Sequence, residues 1–412
     1  MLPRFHRVRR SLFSPPPLDP EKALAGEWKK AGLKLSGSKI ALAVGSRGIS
    51  HLPLLVKTLV KILRGEGAEP FIVPAMGSHG GATAQGQVEV LRDLGVTEES
   101  AGCPIRSSME TVIRGQTAEG LDAYMDRAAA ESDGIVLLNR VKPHTSFTGE
   151  LESGLHKMLA IGLGKEKAAT LLHTGGPRSL RDNMPKVAKV LLKTSPFLAG
   201  IGLVEDALQN IVALRVLDKG NLEAGEKELL ALARNLAPAL PLSDWDVLVV
   251  DEMGKDISGT GMDTHVIGRL GIQGEPEPDS PHITALAVLR LSSATHGNAL
   301  GIGLADFSTE EALQSIDLEK TRKNVETTGN LKRGIIPEIC ADSKQAVEAA
   351  IRFASAKTGK PDAEINVLRI RNTLRLEDFF VSENRLEDVR NLPDVDSTKL
   401  VSELHFIPRE WR

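Results

Sequence analysis

Cysteine is nearly absent: the 412-residue chain holds two, Cys103 and Cys340, far apart in sequence. That excludes a disulfide framework, a Cys-x-x-Cys redox pair and a cysteine-built iron–sulfur or zinc site. Aromatic residues make up 3%, too few for the stacking platforms that bind single-stranded nucleic acid. Neither sign of charge is in excess. Lys and Arg number 51 against 54 Asp and Glu, and beyond Arg4, Arg7, Arg9 and Arg10 there is no basic block. A nucleic-acid partner is therefore not expected. No run of about eighteen apolar residues is present to span a bilayer, and residues 1–17 lack the continuous apolar stretch of a secretion signal. A membrane is not expected as a partner, and the cytoplasm is the expected address.

What is present suits a buried interior: 41% of residues are hydrophobic and 25% charged. The length exceeds what one core fills, which points to more than one domain. From residue 39 short apolar runs alternate with helical periodicity. Residues 40–44 read as a buried strand. Leu52, Leu55, Val56, Leu59, Val60 and Leu63 follow the i, i+3, i+4, i+7 spacing of an amphipathic helix, stopped by Gly65 and Gly67. Residues 71–75 read as the next strand, 83–94 as a helix, 121–130 as helical and 134–138 as another strand. Such alternation predicts an α/β fold with mostly parallel sheets.

The segment LAPALPLS (236–243) breaks this pattern, and WDVLVVD (245–251) opens a fresh strand. We therefore expect an N-terminal α/β domain over 1–240 and a second α/β domain over 244–360, with the site in the cleft between them. The second carries expected strands near 283–291 and 299–306 and helices near 308–318 and 344–353. Residues 361–412 are expected to form a tail, packing back on the first domain.

In open α/β sheets ligands bind where strands end. Three strand exits carry unusual loops: Gly45-Ser46-Arg47-Gly48, Gly77-Ser78-His79-Gly80-Gly81, and Asn139-Arg140-Val141-Lys142-Pro143-His144-Thr145. One histidine in a glycine-rich loop is usually a solvated turn residue. Two such loops beside an arginine loop at one sheet edge favour a site. Downstream, Lys157 stands among Leu155, Met158, Leu159 and Ile161, where partial burial suits a lysine for covalent chemistry. Taken alone, Lys157 and His173 equally read as an exposed helix residue and a helix-end residue.

Five segments in this order, GSRGI (45–49), GSHGG (77–81), KPHTSFTG (142–149), the Lys157–His173 interval and DEMGKDISGTGMD (251–263), resemble the nickel-dependent lactate racemase family. The resemblance spans about residues 39–355. It implies a nickel-pincer nucleotide (pyridinium-3-thioamide-5-thiocarboxylic acid mononucleotide with Ni), tethered to Lys157 and ligated by His173. It implies acid/base roles for His79 and His144, one on each face of the substrate. Ser46, Arg47 and Gly77 fall at cofactor-binding places, and Arg47 and Lys142 are cations suited to a substrate carboxylate. The activity implied is that of an isomerase, a racemase or epimerase of 2-hydroxy acids. Its partners are a small 2-hydroxy acid and the enzymes that make and load the cofactor.

The pattern also departs from the family. Val44 stands where the racemases usually carry an aspartate, three residues before Arg47, and about three extra residues, Glu152 among them, separate His144 from Lys157. The family's substrate-contacting Gln and Lys have no clear counterpart around 259–263. A larger or sugar-derived acid is therefore expected rather than lactate, with Lys255, Asp263 and His265 as polar contacts from the second domain.

This chemistry explains the residue types. Removing the Cα hydrogen as a proton beside a carboxylate would place two negative charges side by side, whereas hydride transfer to a pyridinium leaves a ketone. The hydroxyl proton leaves with it, a task for a group titrating near pH 6.5 such as histidine. The cofactor brings its own sulfurs, so scarce cysteine is compatible with nickel. The alternatives are a metallohydrolase or hydratase with zinc on His79, His144 and His173, or a non-catalytic acid-binding protein.

Overall fold

The computed structural model describes residues 3–35, 38–46 and 48–401, with the side chains at 327 and 399–401 excepted. Its strands are β1 (Phe5–Arg10), β2 (Lys39–Val44), β3 (Glu69–Pro74), β4 (Thr111–Gln116), β5 (Asp122–Asp126), β6 (Gly134–Arg140), β7 (Phe197–Glu205), β8 (Ile211–Leu217), β9 (Asp244–Met253), β10 (His282–Leu291), β11 (Phe307–Thr309), β12 (Glu338–Cys340), β13 (Val367–Asn372), β14 (Arg375–Ser382) and β15 (Val395–Val401). The chain divides into two units, one of Ser14–Ala237 and one combining Met1–Phe13 with Pro238–Arg412.

In the unit Ser14–Ala237 the sheet order is β3-β2-β6-β7-β8, parallel from β3 to β7, with β8 antiparallel at the edge. Its strands read as unbroken apolar runs because both faces are covered. Ala41, Ala43, Phe71, Val73, Ile135 and Leu137 join one core, and Ile40, Leu42, Val44, Ile72, Val136 and Leu138 the other. The helix Leu52–Gly65 buries the apolar stripe expected from its spacing, Leu52, Leu55, Val56, Leu59, Val60 and Leu63, each contributing about 1.5–3 kcal/mol. Thr83 caps the helix Ala84–Asp93 by accepting the Gly86 amide.

In the other unit the order is β12-β11-β10-β9-β13-β14-β1-β15. The strands from β12 to β13 are parallel, whereas β13–β14, β14–β1 and β1–β15 are antiparallel. The helix Ser343–Thr358 lays Ala346, Val347, Ala350, Ile351 and Ala354 on one face of the sheet, beside Val247, Val249, Ala285 and Ala287.

Four expectations are corrected. Of the segment 361–412, expected as a tail on the first domain, the described residues 361–401 form no such tail, and 402–412 lie outside the described residues. β13 pairs with β9, and β14 continues the sheet through its hairpin. Residues 1–13 do not belong with the unit Ser14–Ala237. β1 lies between β14 and β15, where Arg7 donates Nε to Asp378 Oδ1 (2.8 Å) and a terminal nitrogen to Oδ2 (2.5 Å). Residues 121–130 hold strand β5 before a one-turn helix, Arg127–Ala130. There Ala123 and Met125 are buried at a period of two within an alanine-rich stretch that mimics a helix. Residues 299–306 bury Ala299, Leu300, Ile302 and Leu304 from a 3-10 turn rather than a strand, since a short apolar run alone does not set the backbone.

Candidate functional site

The strands β3, β2 and β6 are adjacent and parallel, so the loops after Pro74, Val44 and Arg140 leave at one edge. The chain runs outward from β2 to β3 and then crosses to β6 on the other side. The β2/β6 boundary is thus a topological switch point, where α/β sheets form ligand crevices. Ser46 follows β2 and His144 follows β6.

The loops meet directly. Ser46 Oγ hydrogen-bonds His79 Nδ1, joining the first two. Gly77, at φ 60°, adopts a conformation that favours glycine, and its amide donates to Gly162 O at 3.2 Å. This attaches the His79 loop to the segment that bears Lys157. Arg47 lies outside the described residues.

His144 is buried, stacked on Phe147 with ring centroids 4.3 Å apart. The Ser146 amide donates to His144 Nδ1 at 3.1 Å. An acceptor at Nδ1 leaves the proton of the neutral ring on Nε2. Glu152, which the sequence marked only as part of an insertion, is the organiser of this loop. Its carboxylate accepts the amides of His144 (2.5 Å) and Gly149 (3.0 Å) and a guanidinium N–H of Arg234 (2.5 Å). Lys142 forms a two-way backbone bridge to Ser153, at 2.8 and 3.2 Å.

Lys157 ends a helical turn, Leu155–Lys157, that continues as a π-helical stretch over Met158–Gly162. It is half-buried, and its sequence neighbours Leu155, Met158, Leu159 and Ile161 are buried. Buried Glu226 fixes this turn, accepting His156 N at 3.0 Å and meeting His156 Nδ1 at 2.6 Å. Gly154 permits that approach, since a Cβ there would sit 2.1 Å from Glu226 Oε1. His173, near the end of the helix Lys165–Thr174, has its pKa pushed down to about 4, first by desolvation and then by the Lys157 charge. Its side chain is exposed, so screening weakens the desolvation contribution; the Lys157 charge also disfavours the protonated ring. Among the described residues, no three His, Cys, Asp or Glu side chains gather to hold a metal ion.

The nearest alternative lysines are placed otherwise. Lys165 is fully buried and engaged with Pro74 O, Gln87 and Asp126. Lys167 is exposed, 5.8 Å from the Tyr124 ring centroid.

On the other unit, Lys255, Asp263 and His265 lie in the loop after β9. Lys255 Nζ donates to Gly259 O (2.6 Å), and Asp263 Oδ1 accepts His265 N (2.9 Å), contacts that shape the loop itself. Asp251, at the head of the DEMGKD segment, is buried in a bidentate pair with Arg369, at 2.6 and 3.0 Å. Its pKa is raised by burial against the pull of that guanidinium.

The architecture is mixed α/β with large, mostly parallel sheets. No family model matches the chain, and no curated protein matches it. Among solved structures it is similar to the lactate racemase apoprotein from Thermoanaerobacterium thermosaccharolyticum, at 12% identity over 90% of this chain and 93% of that one, with a TM-score of 0.52. It is also similar to the crystal structure of a protein from Thermotoga maritima, at 15% identity over 79% of this chain and 83% of that one, with a TM-score of 0.51. The fold is lactate racemase-like. No helix among the described residues is long and apolar enough to cross a membrane.

Proposed function

We propose that the chain is an isomerase that inverts the hydroxyl-bearing Cα of a 2-hydroxy acid, using a nickel-pincer nucleotide tethered to Lys157 and ligated by His173. The observation that carries this reading is a half-buried lysine whose charge acts on the imidazole of His173, while among the described residues no three His, Cys, Asp or Glu side chains gather to hold a metal ion. A group that brings its own sulfur donors needs only that much from the protein. A zinc site on His79, His144 and His173 would require the three to converge, and the same observation speaks against it.

When bound, the group supplies an electron-poor ring for the Cα hydrogen and its electron pair. The chain's residues then manage protons and charge. His79, oriented by Ser46, exchanges the hydroxyl proton. His144, whose neutral ring carries its proton on Nε2, donates a hydrogen bond to the substrate oxygen; taking a second proton, at Nδ1, displaces the Ser146 amide. Lys142 and Arg47 hold the carboxylate. Ser46 and Gly77 border the cofactor, and Lys255, Asp263 and His265 belong to the same proposal as substrate contacts. With Val44 in place of a carboxylate at the strand exit, the preferred substrate is a larger or sugar-derived acid.

Co-expression with cofactor-making enzymes, followed by intact mass and nickel analysis, tests the reading. Lys157→Ala is expected to abolish the mass adduct, and His173→Ala to keep the adduct but lose nickel. An unchanged adduct on the Lys157 variant refutes the tether.

A further inference from the structure

Lys165 is a buried lysine with no part in the chemistry proposed above. Its backbone sits at φ 55°, in the left-handed region, which costs a residue with a Cβ on the order of 1 kcal/mol. Such strain persists where the surroundings over-determine it. Here Nζ donates to Pro74 O at 2.5 Å and to Gln87 Oε1 at 3.1 Å, and lies 3.2 Å from Asp126 Oδ2. Pro74 is the last residue of β3, immediately before the His79 loop. Gln87, itself fully buried, donates Nε2 to Gly77 O at 2.9 Å and to His79 O at 3.4 Å.

The two ends of that amide are not interchangeable. A carboxamide has one accepting and one donating end. An ammonium donating to Oε1 therefore forces Nε2 toward the two loop carbonyls. Without the cation, the flipped amide would set its oxygen against Gly77 O and His79 O. Asp126 supplies the counter-charge that keeps a buried ammonium tolerable, and its other oxygen is held by the Ala129 amide at 3.0 Å.

We infer that Lys165 is a positioning residue for His79, acting through Gln87 and the β3 exit, with Asp126 as its partner. The inference rests on the proposed role of His79, but its test does not. Full-length protein without cofactor is labelled with 13C-histidine, and the His79 ring signal is assigned by its loss in His79→Gln. Gln87→Met removes both amide functions while leaving the Lys165–Asp126 pair. It is expected to shift and broaden the His79 ring signal. It should also speed hydrogen exchange at the Gly77 and His79 amides, which donate to Gly162 O and Met76 O, by about tenfold, the loss of one net hydrogen bond. Lys165→Met is expected to move the His79 signal in the same direction. The two changes should not add in the double variant, because one path carries both.

A His79 signal and loop exchange rates at wild-type values in Gln87→Met overturn the inference, whether or not Lys165→Met folds. That result would leave Lys165 a buried structural ion pair. Absence of an adduct on wild-type Lys157 would instead refute the proposed function while leaving the positioning of His79 as measured.

Discussion

Replacing Glu152 is the sharpest test of how the His144 loop is held. The carboxylate is 1% exposed and accepts two backbone amides and one guanidinium. Arg234 is 41% exposed at its side chain, so its ion pair is screened and contributes about 0–1 kcal/mol. The amides of His144 and Gly149 matter more. Hydrogen bonds to a charged acceptor are worth about 1.5–3 kcal/mol each, so Glu152→Ala is expected to cost the loop about 3–6 kcal/mol. Because the two amides share one acceptor, the cost appears as opening of the 144–149 segment rather than as global unfolding. At 1.4 kcal/mol per tenfold, hydrogen exchange at the His144 and Gly149 amides should quicken by about 10²–10⁴-fold.

Native-state exchange read by NMR measures this directly. Glu152→Gln, which keeps the volume but turns an N–H donor toward one of the three donors, should give part of the effect. Arg234→Met should change the same amides by less than about tenfold. Exchange within threefold of wild type in Glu152→Ala would refute the assignment of Glu152 as the organiser of the loop.

Other outcomes are open to measurement. In protein without cofactor the His173 ring should titrate below the ordinary imidazole value, and Lys157→Met should raise its midpoint; an unchanged midpoint in that variant would contradict an effect of the Lys157 charge on the ring. A folded pKa below the unfolded one means that His173 adds stability above about pH 6.5 and loses it as pH falls toward 4, which denaturation at several pH values can follow. The 15N shifts of His144 should show Nδ1 unprotonated and Nε2 protonated at neutral pH; the opposite tautomer would remove the Ser146 bond. Arg369→Met strands the buried Asp251 carboxylate and should cost about 3–5 kcal/mol by chemical denaturation, whereas a loss under 1 kcal/mol would show that water reaches Asp251.

Periodicity located the parts of the fold that depend on burial alone. The apolar runs of β2, β3, β6 and β9, and the stripe of the helix Leu52–Gly65, each stand where the sequence placed them, because a two-sided sheet demands such runs. Two of the failures came where pairing is decided at long range. Nothing within residues 5–10 announces that β1 will lie between two strands more than 360 residues away, since its partners are chosen by register with β14 and β15. In β13 Arg369 is buried because Asp251 on the neighbouring strand supplies its counter-charge, a partner 118 residues away that local pattern does not announce.

The candidate site divides along the same line. Glycine, histidine and lysine at strand exits are visible as local composition, and the adjacency of β3, β2 and β6 gathers their loops at one edge. The groups that fix those loops are buried polar side chains whose partners come from elsewhere in the chain. Glu226 reaches the His156 amide across 70 residues, Asp126 meets Lys165 across 39, and Lys165 meets Pro74 O across 91. A buried carboxylate or ammonium survives only with such partners, so each of these side chains is tied to the loop it supports. The residues proposed for the chemistry are half-buried Lys157, exposed His79 and His173, and buried His144, whose Nδ1 accepts the Ser146 amide. Neutralising a scaffold carboxylate should therefore displace a candidate residue without touching it, which separates the site's support from its chemistry.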